Sequence, residues 1–187
     1  RKAYPAAICA SLNETVVHGL PNDYALKSGD ILKIDLGVNY KSYITDAAIT
    51  VGVGEISENV RKLIAVTEKA LELAIKECKA GNYLSDIGWA IENYTEKNNF
   101  SVVKGLTGHG VGFALHEDPI VYNYGRKGEG MVMKPGLVLA IEPMIAIGSG
   151  DIRQKPDDSF VTRDKGLSAH FEHTIVITEK GFEILTK

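Results

Sequence analysis

Apolar and polar positions repeat with two periods along this chain, and the change of period marks its parts. Over 57–79, Val60, Leu63, Ile64, Thr67, Leu71, Ala74 and Ile75 recur at the three- and four-residue spacing of one helix face. Ser57 supplies a start signal and Gly81 follows the end, so a helix is predicted there. A second is predicted over 85–98, with Ile87, Ala90, Ile91 and Tyr94 on its apolar face. Residues 6–12 and 31–53 are rich in Val, Ile, Thr and Tyr and read as strands. A turn around 37–40 makes the second stretch an antiparallel hairpin, with Asp35 and Asp46 expected to face each other across it. Beyond 98, Gly and Pro punctuate short strands as far as Lys187. Strands, two helices and more strands predict an α+β domain, its helices on one face of a curved, mostly antiparallel sheet.

A chain of 187 residues with 44% apolar content suits one domain over 1–187. The net charge of -3 and pI near 6.0 come from interleaved acids and bases without a basic cluster, so no nucleic-acid partner is expected. No apolar run approaches the ~20 residues of a membrane span, and no membrane partner is expected. Cys9 and Cys78 lie far apart without a metal-ligand spacing, which favours a reducing compartment and a cytoplasmic location.

Five residues able to bind metal change this picture. Asp35, Asp46, His109, Glu142 and Glu172 each lie in a stretch otherwise built largely of small, apolar or Gly residues. Burying an ionised carboxylate alone is prohibitive, so such acids must be paired, hydrogen-bonded or metal-bound, and none has a cationic partner beside it in sequence. Any one alone reads as an ordinary strand or turn residue. Together they form a hard-to-borderline donor set that suits Mn, Fe, Co or Zn. Four carboxylates and one imidazole exceed what one catalytic zinc needs and suit two cations serving hydrolysis. Gly108 and Gly110 flank His109, where missing side chains allow close backbone approach.

The stretches ICASLNETVVHGLP, DILKIDLG with YITDAA, LTGHGVGFALHEDP, LAIEPM and LSAHFEHTIVIT, in that order, resemble type I methionine aminopeptidases over nearly the whole chain. The resemblance implies the pita-bread fold, two pseudo-symmetric α+β halves around a pair of divalent metal ions. It also implies ligand roles: Asp35 chelates one ion, Asp46 and Glu172 bridge both, and His109 and Glu142 complete the other. Glu142 would further handle a proton in the reaction. His18 and His116 match the non-ligand histidines that hydrogen-bond the substrate amide and the carbonyl or tetrahedral intermediate. Tyr4 and Cys9 match pocket positions for the methionine side chain, and Leu115 stands where many relatives carry Phe.

By two-residue alternation His170 shares a strand face with Glu172 and is expected to support the ligands from behind. His173 points the other way and reads as structural, and Trp89 as core packing. The partners implied are peptide N-termini carrying methionine before a small residue, with transient ribosome association. Family members carry further residues ahead of the position of Tyr4. Without them apolar sheet surface would be exposed, so either the chain is a fragment or self-association or a partner covers that face. Two other readings share the fold: a proline-directed aminopeptidase, which the segment Asn13 to Gly19 fits less well, and a non-catalytic binding module, whose known examples typically lose ligands that this chain retains.

Overall fold

The computed structural model describes residues 4–187. Strands β1 (Cys9–Leu12), β2 (Thr15–Val17), β3 (Ile31–Tyr40) and β4 (Tyr43–Gly52) lead into helices α1 (Glu58–Glu77) and α2 (Leu84–Lys97). There follow β5 (Ser101–Val102), β6 (Thr107–Gly110), β7 (Glu117–Tyr122), β8 (Val138–Ile141), β9 (Met144–Ala146) and β10 (Ile152–Gln154). The chain finishes with β11 (Phe160–Thr162), β12 (Ser168–His170), β13 (Glu172–Thr178) and β14 (Gly181–Ile184).

The main sheet has eight strands in the order β1-β3-β4-β13-β8-β6-β7, with β14 added on β13, and two three-stranded sheets (β10-β11-β2 and β12-β9-β5) flank it. All these pairings are antiparallel. This is the α+β arrangement expected from the sequence.

The Ser57 hydroxyl caps α1 by accepting from the Val60 N–H at 3.3 Å. Val60, Leu63, Val66, Ala70, Leu71, Ala74 and Ile75 form its buried stripe, and they join Ile87 and Ile91 of α2 with Leu139, Ile141, Ile175 and Ile177 of the sheet in one core. Each Val, Leu or Ile among them contributes roughly 1.5–3 kcal/mol by leaving water. Tyr83 precedes α2, and its N–H donates to Asp86 Oδ2 at 2.9 Å. No helix among the described residues is long and apolar enough to cross a membrane.

Three expectations need correction. The β3–β4 turn lies at Lys41 and Ser42, not around 37–40; both have positive φ, 52° and 69°, as a tight two-residue hairpin turn requires. Gly37 sits within β3 and pairs with Asp46, while Asp35 pairs with Ala48, so the two aspartates are diagonal neighbours on one face. Trp89 is half-buried on α2, with the Lys127 ammonium 4.7 Å from its ring centroid.

Candidate metal centre

Five neighbouring strands of the main sheet each deliver one of the five candidate ligands. Across the sheet the order is Asp35 on β3, Asp46 on β4, Glu172 opening β13, Glu142 one residue past β8, and His109 on β6. Residues 137 apart in sequence thus meet in one cavity of about 180 Å³, which all five line together with His18, His116 and Met144.

Backbone contacts fix these positions. The Asp46 N–H donates to Thr174 Oγ1 and the Thr174 hydroxyl donates to the Asp46 carbonyl, each at 2.8 Å, tying β4 to β13. A Cβ on Gly108 would come within 2.4 Å of the Ala140 carbonyl oxygen, and one on Gly110 within 2.2 Å of that of Asp118. Only glycines at these two positions let β6 press against its neighbours and hold His109 in place. His109 Nδ1 lies 2.9 Å from the Gly110 carbonyl oxygen. A carbonyl can only accept, so the proton is on Nδ1 and the Nε2 lone pair faces the cavity, 3.3 Å from Glu142 Oε1. Asn123 Nδ2 donates to the Glu142 carbonyl at 2.9 Å and steadies the end of β8.

The donor atoms of Asp46, His109 and Glu172 lie within 4.8 Å of one another, as do those of Glu142, His170 and Glu172. Asp35 stands outside both groups but lines the same cavity. Burial and the Asp46 charge push the Asp35 carboxyl up to about 7. Burial, then the charges of Asp35 and Asp46, raise Glu142 well above the ordinary carboxylate range; burial, then Glu142, Asp46 and Asp35, do the same for Glu172. Among the described residues no Lys or Arg lies within ion-pair distance of these four acids. Glu172 Oε1 is buried without a hydrogen-bond partner. Four crowded acids, a lone pair aimed inward and an unpartnered carboxylate oxygen fit divalent cations, which would relieve the repulsion these groups impose on one another.

A second cavity of about 460 Å³ adjoins the first and shares His18, Asp35, Asp46 and His116 with it. Tyr4, Cys9 and Leu115 line it, so every residue expected at the substrate pocket converges there. The Tyr4 hydroxyl donates to the Gly19 carbonyl at 3.0 Å. Burial, with the Asp35 charge next, pushes the Cys9 thiol up to about 12, leaving it a neutral, nearly apolar wall. His18 has a φ of 58°, a left-handed conformation that aims its ring into the cleft, where it meets Phe160 edge-on at 6.0 Å between centroids. Burial, then the neighbouring His116, lowers the His18 pKa. The His116 ring lies 4.4 Å from that of His109 between centroids.

His170 is buried beside the acids as alternation suggested, although the strand breaks at Phe171: His170 ends β12, paired with β9, and Glu172 opens β13. His173 faces away, with Nδ1 3.0 Å from the Thr186 hydroxyl. Sequence reasoning missed Thr50, Thr174 and Asn123, whose partners are remote in the chain and left no local signal. Asp158 also lines the outer cavity, from a left-handed turn.

Residues 1–179 match metallopeptidase family M24, and the chain belongs to that family, whose members bind divalent metal. Within it the similarity runs to methionine aminopeptidases. Methionine aminopeptidase 1 of Bacillus subtilis is 48% identical over 185 residues, which cover 98% of this chain and 75% of that protein. The methionine aminopeptidase of Escherichia coli K12 is 42% identical over 98% of this chain and 70% of its own length. The crystal structure of methionine aminopeptidase from Rickettsia prowazekii superposes with a TM-score of 0.96 at 44% identity, covering 98% of this chain and 75% of that one. A prolidase from Pyrococcus horikoshii has the same fold at a TM-score of 0.78 and 25% identity, over 97% of this chain and 48% of its own.

Proposed function

We propose that this chain is a metal-dependent aminopeptidase that removes methionine from peptide N-termini, within one domain that holds the whole catalytic site. The observation that carries this reading is the meeting of two neighbouring cavities, one lined by all five candidate ligands and the other by all five candidate substrate residues. Asp35, Asp46, His109, Glu142 and Glu172 would hold two divalent ions. Bound there, such ions supply Lewis acidity towards a peptide carbonyl and ready ionisation of water.

The chain's own groups supply the rest. Glu142 lines the metal cavity, where a carboxylate oxygen could take and return a proton. Being neutral at neutral pH, His18 presents an N–H without a competing charge to a substrate amide or carbonyl. His116 lines both cavities. The outer cavity, lined by Ala6, Ala7, Ile8, Cys9 and Leu115, matches an unbranched, polarisable thioether. A small second residue is the expected preference, and the native ions are drawn from Co, Mn, Fe and Zn. The setting proposed is cytoplasmic, with transient ribosome association. Self-association through the exposed apolar face of β3 and β4 would show as a dimer in sedimentation.

The test is cleavage of Met-Ala-Ser, Met-Leu-Ser and Ala-Pro-Ala by the metal-stripped chain resupplied with Mn, Co or Fe. Metal-dependent release of methionine from Met-Ala-Ser alone is expected. Cleavage of Ala-Pro-Ala would transfer the chain to the proline-directed relatives, and no cleavage despite bound metal would refute catalysis.

A further inference from the structure

Beside the five ligands lies a group with no assigned part in the site. His170 is 1% exposed, and neither ring nitrogen has a hydrogen-bond partner. Its Nε2 points at two of the acids, 3.6 Å from Glu142 Oε2 and 3.9 Å from Glu172 Oε2. Both separations exceed the roughly 2.7–3.2 Å of an N–H···O bond. They match two donors on a common ion, each about 2.0–2.2 Å from it, which places the donors about 3–4 Å apart. The other Glu142 oxygen lies 3.3 Å from His109 Nε2, so this carboxylate stands between two imidazoles with one facing each oxygen.

The backbone of His170 is held independently of its ring. Its N–H donates to Thr50 Oγ1 at 2.8 Å, the Thr50 hydroxyl donates to its carbonyl at 2.6 Å, and β12 pairs it with Met144 of β9. A ring fixed this firmly and buried with both nitrogens unpaired is a preformed donor.

We propose that His170 is a sixth metal ligand, joining Glu142 and Glu172 through Nε2 on a common ion. The proposal rests on the reading of the four acids and one imidazole as a metal centre and adds a second imidazole to it, on the ion held by Glu142 and Glu172. Imidazole favours Zn, Co and Fe over Mn, so that ion's site is biased towards the later metals.

The test is metal affinity, measured by chelator competition for Zn and Mn in the whole chain and in His170→Gln, with the visible spectrum of the Co form alongside. In His170→Gln, Zn affinity is expected to fall at least ~10-fold and Mn affinity less, narrowing the preference, with a shifted Co spectrum. His173→Gln should change neither. An unchanged Zn-to-Mn ratio together with an unchanged Co spectrum overturns the proposal. Should His170→Gln fail to fold, the wild-type chain carrying 15N-histidine and loaded with 113Cd decides: two imidazole nitrogens split by cadmium are expected, and one alone refutes the sixth ligand. Metal uptake with a single split nitrogen leaves the five-ligand centre standing, whereas no uptake by the wild-type chain removes that centre and this proposal together.

Discussion

Asp46 is held on both sides of its own backbone by a single threonine hydroxyl, and its carboxylate faces the acids of three other strands. Replacing Asp46 with Ala should therefore lower bound metal and abolish turnover, read by metal analysis of the dialysed protein. His116→Ala should instead lower turnover by roughly 10²–10⁴-fold with metal content unchanged; release of metal by that variant would show His116 to be a ligand. Thr174→Val strips both hydrogen bonds from the Asp46 backbone and should cost about 1–3 kcal/mol of stability in the metal-free chain, measured by thermal denaturation. The four acids of the candidate ligand set were legible in the sequence because an acid in an apolar strand needs a reason, and His109 because it stands between two glycines. Thr174 and Thr50 were not, since each acts on a residue 120 or more positions away and a threonine in a strand needs no explanation.

The β3–β4 hairpin inverts the usual arrangement of apolar and polar faces. Ile31, Lys33, Asp35 and Gly37 look inward with Asp46, Ala48 and Thr50, while Leu36, Val38, Tyr40, Tyr43, Ile49 and Val51 are exposed on the other side. Alternation showed that these were strands, but it could not say that the polar face is the inner one, because here the interior is a site and not only a core. The turn was misplaced for a related reason: Gly37 looks like a turn glycine, yet it lies within β3 beside the site, where a Cβ would press on Leu115 Cδ1 at 3.2 Å. Helix α2 carries a glycine with a similar purpose. A Cβ at Gly88 would lie 2.4 Å from the Tyr122 carbonyl oxygen and 2.6 Å from that of Tyr124. In an open helix Gly→Ala gains up to about 1 kcal/mol. In this packed one Gly88→Ala should lower the melting temperature, and a rise would mean that α2 does not press on β7 and the segment after it.

For the molecule as a whole, the costliest interior residue is Lys33, 1% exposed, with Nζ donating to the Asn13 carbonyl at 2.5 Å. Burial drives its pKa from 10.5 to about 7. Between these values the unfolded chain holds a proton that the folded chain lacks, so this group makes stability rise with pH from about 7 to 10.5 and is most costly at and below about 7. Lys33→Met should remove that slope: its gain over wild type in urea denaturation should be largest at pH 7 and shrink by pH 10. A gain independent of pH would show that the lysine stays charged when folded. The overall architecture was legible from the change of period alone. The order of strands across the sheet was not, because β4 takes β13 as its neighbour and β13 takes β8, pairings that no local pattern encodes.

That strand order has a temporal side. β4 ends at Gly52 and its partner begins at Glu172, so the central seam of the sheet is a contact of very high sequence separation, the kind that closes late and slowly in folding. During synthesis the helices and the β3–β4 hairpin can form while Asp35 and Asp46 wait side by side for over a hundred residues, without the strand that brings Glu172. If the proposed ligands hold a cation, its capture at full strength would be the last event in maturation and would act as a latch: an ion joining both sides of the seam should slow its reopening, giving the loaded protein a lifetime that the empty one lacks.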